Sequence, residues 1–251
     1  MHGTRFFDKE KGTPYSMQTQ YTFEVIARVR TPFAEKFGIP RQAGLATEVS
    51  GEIIFEKAFR SPEALRGIDG FSHLWLLWCF SEHTEKGWHP TVRPPRFDGS
   101  TRLGIFATRS PFRPNPIGLS LVQLESVDWE APNGPILRIT GPDLLNETPL
   151  FDIKPYIPYA DCCPEARHAY LAENKWTPLK VEIPPELLAK IPADQRTALR
   201  EVLAQDPRPA YHKDPERIYG LSFAGQNVRF RVKDGVALVL EVEFMQNSGK
   251  L

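Results

Sequence analysis

Proline is the residue that most limits the folds open to this chain. It occurs 24 times in 251 residues, about twice the usual proportion of ~5%. The prolines cluster, because six lie between Pro90 and Pro116 and seven between Pro132 and Pro164. Proline lacks the backbone donor that helix interiors and central strands need. This distribution therefore predicts short strands joined by rigid, ordered loops, and it argues against an all-helical bundle.

Six segments have the β-branched and aromatic content and the alternation that are typical of strands. They span residues 23–29, 51–55, 73–80, 102–107, 119–127 and 136–140. Six short strands within about one domain length predict a barrel or a sandwich. A doubly wound nucleotide-binding fold has little support, because no GxGxxG follows the first strand and helices do not alternate with the strands.

The rest of the chain predicts a smaller, mixed C-terminal part. Ala198, Leu199, Val202 and Leu203 share one face of a predicted helix, and a weaker helix is expected after Pro184 and Pro185. Segments 218–223, 228–232 and 237–244 predict a β-meander with a turn at residues 233–235. We therefore expect a polar N-terminal tail (1–20), a β-barrel domain (21–168), a linker with a helix (169–206) and a C-terminal β subdomain (207–251).

Charge and cysteine content exclude several classes of protein. Lys and Arg number 31 and Asp and Glu number 31, so nucleic-acid binding would have to come from a local patch. Three cysteines form no CxxC pair, which argues against a disulfide framework and against a zinc site. The N-terminus lacks an apolar signal region. We therefore expect a soluble, cytoplasmic protein with neither a membrane segment nor a metal.

The segment TRSPFRPNPIGLS, residues 108–120, is the most informative stretch. It could be a proline-stiffened connection with solvated arginines, or a pre-ordered site that presents Arg109, Arg113 and Asn115. Between Arg93 and Arg113 there are five arginines and one acid, which is a local net charge of +4. Arginine forks suit phosphate, so this patch favours a polyanion such as RNA, although many charge runs are simply solvated.

Three further stretches have residues suited to ligand contacts. DIKPYIPYAD (152–161) contains tyrosines that either pack or stack an unpaired base beside Lys154, and Asp152 could act as a base or a counter-charge. PRQAGL (40–45) is a glycine-containing loop that exposes backbone groups. Ser81 and Glu82 lie where the strand 73–80 opens into a loop, a usual place for ligand contacts.

Several long motifs resemble one known family. PRQAGL, GFSHLWLLWCF, GWHPTVRPPR, GIFATRSPFRPNPIGLS, DIKPYIPYAD and VLAQDPRPAYHKD are similar to the bacterial tRNA methyltransferases that methylate N6-threonylcarbamoyladenosine, the TrmO/TsaA-like β-barrel methyltransferases. The resemblance implies a mainly β fold, with a single-sheeted barrel that binds S-adenosylmethionine and a small C-terminal α+β subdomain. It also implies a homodimer with the cofactor near the subunit interface. The missing GxGxxG agrees, because this cofactor has no phosphates for a glycine-rich loop to bind.

The resemblance also implies the roles of individual residues. The cofactor would be held by Ala43, Gly44, Leu45, Ser81, Glu82, Arg109, Leu119, Leu144, Leu145, Asn146 and Glu147. The implied reaction is methyl transfer to N6 of the modified adenosine 3′ of the anticodon, in tRNAs such as that for threonine. The catalytic candidates for this reaction are Asp152, Tyr156 and Asn115. Because the polar residues cluster in two rigid motifs, we further hypothesise that Asp152 or Tyr156 accepts or relays the N6 proton.

The same hypothesis includes contacts with the substrate. Arg109, Arg113 and Lys154 would hold the threonyl carboxylate or nearby phosphates, and Arg208, Tyr211 and Lys213 would extend the RNA footprint. Two other functions stay open on the residues alone. One is an RNA-binding or S-adenosylmethionine-binding module without turnover, and the other is a small-molecule methyltransferase.

Overall fold

The protein is described by a computed structural model that covers residues 6–7, 14–15, 21–93, 102–167, 177–209, 212 and 214–245. In chain order, its first ten strands are β1 (Phe6–Phe7), β2 (Pro14–Tyr15), β3 (Ala27–Arg30), β4 (Ser50–Phe55), β5 (His73–Cys79), β6 (Thr91–Val92), β7 (Leu103–Gly104), β8 (Ile117–Asp128), β9 (Ile136–Thr140) and β10 (Thr148–Pro155). Short 3₁₀ helices occupy Lys57–Phe59, Pro62–Leu65, Ile68–Gly70, Ser81–Lys86 and Ile105–Ala107.

Six of these strands close into an antiparallel barrel in the order β10-β3-β4-β9-β8-β5. Alternate side chains fill its interior, as the period of a strand requires. In β5, for example, Leu74, Leu76 and Trp78 are buried, while Trp75 and Leu77 point outward and are partly exposed. The mainly β fold with a closed barrel confirms the predicted fold class.

The sequence predicted most of the barrel strands correctly, but it predicted one strand that is mostly absent and missed another. Segments 51–55, 73–80, 119–127 and 136–140 correspond to β4, β5, β8 and β9, and only residues 27–29 of segment 23–29 lie in a strand. The prediction of a strand over residues 102–107 is wrong, because only Leu103–Gly104 are in a strand and a 3₁₀ helix begins at Ile105. Strand β10 was missed because it contains Pro149 and Pro155, which usually argue against a strand.

The C-terminal part combines helices with a four-stranded sheet. Its elements, with the short helix α1 that precedes it, are α1 (Pro158–Asp161), β11 (Lys180–Glu182), α2 (Pro185–Leu188), a 3₁₀ turn (Ala193–Gln195), α3 (Arg196–Ala204), β12 (Ile218–Phe223), β13 (Gln226–Lys233) and β14 (Val236–Phe244). The sheet order is β11-β14-β13-β12, and β11 is parallel to β14. The turn predicted at residues 233–235 is confirmed in place, and its loop consists of Asp234 and Gly235, both with positive φ, because Lys233 already pairs with Val236.

The predicted face of helix α3 is buried as expected, because Ala198, Leu199, Val202 and Leu203 are at most 4% exposed. The same core includes three residues from the β3–β4 loop, defined here as residues 31–49: Phe33, Ala46 and Val49. This loop therefore connects the barrel with the C-terminal core. The predicted domain boundaries remain predictions, since the expected break at residue 168 borders a stretch outside the described residues.

Within the described ranges, no helix has both the length and the apolar character needed to cross a membrane.

Candidate functional site

A cleft of about 450 Å³ opens at one end of the barrel, where several loops meet. The β3–β4 loop forms one wall and the residues after β5 form the next. Three further segments complete the lining of the cleft: the residues after the 3₁₀ helix Ile105–Ala107, the start of β8 and the β9–β10 connection. The cleft therefore lies at the ends of the barrel strands, and Pro111 of the first proline-rich cluster is part of its lining.

The prolines and Arg113 together make the wall at residues 108–116 rigid. Arg113 Nη1 donates to the carbonyl oxygens of Thr108 at 2.7 Å and Ile105 at 3.2 Å. Thr108 Oγ1 also donates to the Ile105 carbonyl, at 2.9 Å. The Arg113 guanidinium lies 5.8 Å from the centre of the exposed Phe106 ring. Arg113 therefore organises its own loop and also lines the cleft.

Two consecutive hydrogen bonds, the first buried and the second partly buried, lie at the floor of the cleft. Trp78 Nε1 donates to Ser120 Oγ at 2.9 Å, and Ser120 Oγ donates to Asp143 Oδ1 at 2.5 Å. The Asp143 carboxylate also accepts the backbone N–H of Ala43. Because Ser120 is 2% exposed and Trp78 is 8% exposed, these bonds exist in a low-dielectric setting where they are strong and costly to break.

Asp143 has the electrostatic character expected of a functional carboxylate. Burial raises its pKa above the usual range, while hydrogen bonds and the nearby Arg109 guanidinium act in the opposite direction. Arg109 Nη1 in turn donates to Gln42 Oε1. A partly buried acid with a perturbed pKa in a cleft marks a candidate functional site.

Replacing Asp143 with asparagine is expected to change how stability depends on pH. A carboxyl whose pKa is higher in the folded than in the unfolded protein makes the free energy of unfolding fall as pH rises from the ordinary pKa through the raised one. The wild type should therefore lose stability relative to Asp143→Asn as pH increases through that window. Urea denaturation across acid to neutral pH measures this, with the exposed Asp69→Asn as the control. A constant difference between the Asp143 variant and the wild type would contradict it.

Six of the residues predicted to contact cofactor or substrate line the cleft: Ser81, Glu82, Arg109, Arg113, Leu119 and Leu145. Glu82 forms an ion pair with Lys36, at 3.9 Å, between the β5 end and the β3–β4 loop. These residues come from distant parts of the sequence, so the closure of the barrel brings them together.

The other predicted cofactor residues lie beside the cleft and hold its walls. Gly44 N–H donates to the Gly141 carbonyl at 2.9 Å, and the Leu45 carbonyl accepts from Gln205. Leu144 is fully buried in the barrel core. Asn146 Oδ1 accepts the backbone N–H of Thr31 at 3.0 Å. Ala43 forms the hydrogen bond with the Asp143 carboxylate described above. Glu147 is exposed and has a φ of 63°, and its N–H donates to the Val29 carbonyl.

The three catalytic candidates are placed outside this cleft. Asp152 and Lys154 form an ion pair at 2.8 Å on strand β10, opposite the outward-facing Leu77 and Trp75 of β5. Tyr156 follows that strand, with its ring 6.1 Å from the Trp75 ring. Asn115 is exposed on the proline-rich loop, where its carbonyl accepts from Ile117.

The predicted RNA contacts of the C-terminal part are only partly described. Arg208 makes a two-pronged interaction with Asp206, at 2.7 and 2.9 Å, and its carbonyl accepts from Arg41 of the cleft wall. That hydrogen bonding raises the pKa of Arg208. Tyr211 and Lys213 lie outside the described residues.

Sequence reasoning missed Asp143, Gln42 and Trp78, which also line the cleft. The acid in the glycine–proline turn GPD was a usable signal, because it directly precedes the predicted loop 144–147. Among the described residues, no group of three or more His, Cys, Asp or Glu side chains is arranged to hold a metal ion.

The fold and the cleft together define a β-barrel protein with an open cleft at one barrel end and an α+β unit packed on one of its loops. The family model for the tRNA-methyltransferase O N-terminal domain matches residues 28–162, and that for the TrmO C-terminal domain matches residues 177–245. The chain belongs to the tRNA-methyltransferase O (TrmO) family.

Known proteins are similar in sequence to most of this chain. The tRNA (adenine(37)-N6)-methyltransferase of Escherichia coli is 42% identical over 233 residues, which is 90% of this chain and 99% of that protein. The enzyme of the same description from Eikenella corrodens is 44% identical over 170 residues, which is 67% of this chain and 95% of that protein. A crystal structure of TrmO from Pseudomonas aeruginosa superposes with a TM-score of 0.73 at 33% identity, covering 90% of this chain and 99% of that one.

Proposed function

We propose that this protein is an S-adenosylmethionine-dependent tRNA (adenine(37)-N6)-methyltransferase. The observation that carries the proposal is the cleft itself, which is lined by residues of the family motifs and has the partly buried Asp143 carboxylate at its floor. The relatives described as tRNA (adenine(37)-N6)-methyltransferases match nearly their whole length. A tRNA substrate in turn supports a cytoplasmic location.

The residues of the cleft fit the proposed cofactor. When bound, S-adenosylmethionine supplies an electrophilic methyl group on a positively charged sulfonium. The Asp143 carboxylate suits a cationic ligand with hydroxyl donors, and Trp78 and Leu119 provide apolar surface. We propose that Ala43 to Leu45, Ser81, Glu82, Arg109, Leu119 and Leu144 to Glu147 hold the cofactor, many of them through backbone groups.

The charge of the cleft also suits an anionic substrate. In the part of the chain that the structure describes, the cleft lining contains the cations Lys36, Arg41, Arg109 and Arg113 and the acids Glu82 and Asp143. We propose that the arginines hold the threonyl carboxylate or phosphates of N6-threonylcarbamoyladenosine in tRNAs such as that for threonine. Placing two reactants in line for transfer can supply about 7–11 kcal/mol of a reaction barrier.

Labelled methyl transfer tests the proposed function. The protein is incubated with methyl-labelled S-adenosylmethionine and with tRNA purified from strains that contain or lack the threonylcarbamoyl group. We expect label in the nucleoside next to the anticodon, and only when that group is present. Retention of cofactor without transfer would support a binding module, and transfer without any need for tRNA would support a small-molecule methyltransferase.

We propose that the active form is a homodimer and that its second subunit completes the site. Outward-facing side chains on the paired strands β5 and β8 form an apolar surface that continues from the cleft: Trp75, Leu77, Leu119 and Leu121. Leu119 is 53% exposed. Asp152, Lys154 and Tyr156 border this surface, so a second copy packed there supplies a route by which they reach the partner's cleft.

A further inference from the structure

Helix α3 contacts the loop assigned to the cofactor, although the described residues that line the cleft all precede Pro149. The β3–β4 loop, residues 31–49, lines the cleft at Lys36 and at residues 39–42. It then continues across the surface of helix α3. The C-terminal part thus contacts the site through this loop.

Two side chains of the helix end make the contacts. Glu201 Oε2 accepts the backbone N–H of Glu48 at 2.8 Å, and Glu201 Oε1 accepts from Thr47 Oγ1 at 3.3 Å. Gln205 Nε2 donates to the Leu45 carbonyl at 2.9 Å. Because the two residues are four positions apart, they lie on the same helix face.

Burial makes the Gln205 side of this junction well defined, whereas the two Glu201 hydrogen bonds are exposed to solvent. Gln205 is 8% exposed, and Ala46, the loop residue between the contacts, is 1% exposed and belongs to the C-terminal core. Breaking a buried hydrogen bond leaves a polar group without compensation. The loop therefore has little freedom to move while helix α3 keeps its position.

The barrel holds the same loop from the opposite side. Gly44 N–H donates to the Gly141 carbonyl at 2.9 Å, and Ala43 N–H donates to the Asp143 carboxylate on the cleft floor. Residues 43–48 thus make polar contacts with the barrel at one end and with helix α3 at the other.

We propose that Glu201 and Gln205 are positioning residues for cofactor binding, which rests on the proposed function. They hold residues 43–48 in the conformation that presents the loop to S-adenosylmethionine. Ordering this loop before binding lowers the entropy cost of binding. The C-terminal part then contributes to cofactor affinity without contacting the cofactor.

Four variants of the full-length protein separate this role from general stability. Glu201→Ala and Gln205→Ala remove the contacts, whereas Glu201→Gln keeps an oxygen that can accept the Glu48 N–H. Gln226→Ala is the matched control, because Gln226 is fully buried and its Nε2 donates to the Lys190 carbonyl at 3.3 Å within the C-terminal part. Calorimetry gives S-adenosylmethionine affinity, hydrogen exchange reports on residues 43–48, and thermal unfolding gives stability.

We expect Glu201→Ala and Gln205→Ala to weaken S-adenosylmethionine binding by about fivefold to tenfold each and to speed exchange in residues 43–48. Glu201→Gln should keep most of the affinity. Gln226→Ala should lower the melting temperature but leave the S-adenosylmethionine affinity unchanged. Wild-type affinity and exchange in both alanine variants would overturn the positioning role, as would an equal loss of affinity in Gln226→Ala. Absence of binding by the wild type would overturn the proposed function itself, and the positioning role with it.

Discussion

Valine in place of Gly118 is expected to abolish cofactor binding and to lower the free energy of unfolding by about 2–4 kcal/mol. Gly118 is buried in β8 and lies directly opposite Trp78 of β5. A Cβ atom at this position would lie 2.6 Å from Trp78 Cδ2, with other indole atoms closer still. The indole has to move, and the Trp78–Ser120–Asp143 hydrogen bonds at the cleft floor break with it.

Gly104→Val is the matched control for this substitution. Gly104 has an extended backbone, with φ of −60° and ψ of 141°, and a Cβ atom there would meet no heavy atom within 4 Å. Urea denaturation and calorimetry with S-adenosylmethionine measure the two effects. Wild-type affinity in Gly118→Val would show that the cleft floor does not hold the cofactor.

Arg109→Ala and Asp152→Asn are each expected to reduce methyl transfer to tRNA by about 100-fold. Arg109 lines the cleft of its own chain, whereas Asp152 lies on the outer surface beside the apolar strands. If the site is completed across a homodimer, a mixed dimer of the two variants has one site with both residues intact. Methyl transfer should therefore recover when the variants are combined.

The measurement uses two differently tagged variants, co-expressed and purified as the mixed dimer. The solution mass should first be about twice the 28.5 kDa of one chain, and the Arg109→Ala homodimer is the inactive control. An inactive mixed dimer would mean that Arg109 and Asp152 act within the same chain. Full activity of Asp152→Asn alone would remove Asp152 from the reaction.

Much of the fold could be predicted from the sequence because its signals are local. Alternation located β4, β5, β8 and β9, and the Asp234–Gly235 turn defined the meander. The strand with two prolines, β10, was missed for the same reason, since Pro149 and Pro155 are locally unfavourable. They are accepted because each lies where β10 pairs with one neighbour only, Pro149 with β3 and Pro155 with β5.

By itself, the sequence determined the barrel class, the rigid proline loops and the motifs from which the family was identified. The tertiary structure decided which of those residues share a cleft. Gln42, Trp78, Arg109 and Asp143 are far apart along the chain and meet only when the barrel closes. The burial that raises the pKa of Asp143 likewise exists only after folding, because it depends on the surrounding side chains that exclude water, and no local pattern encodes it.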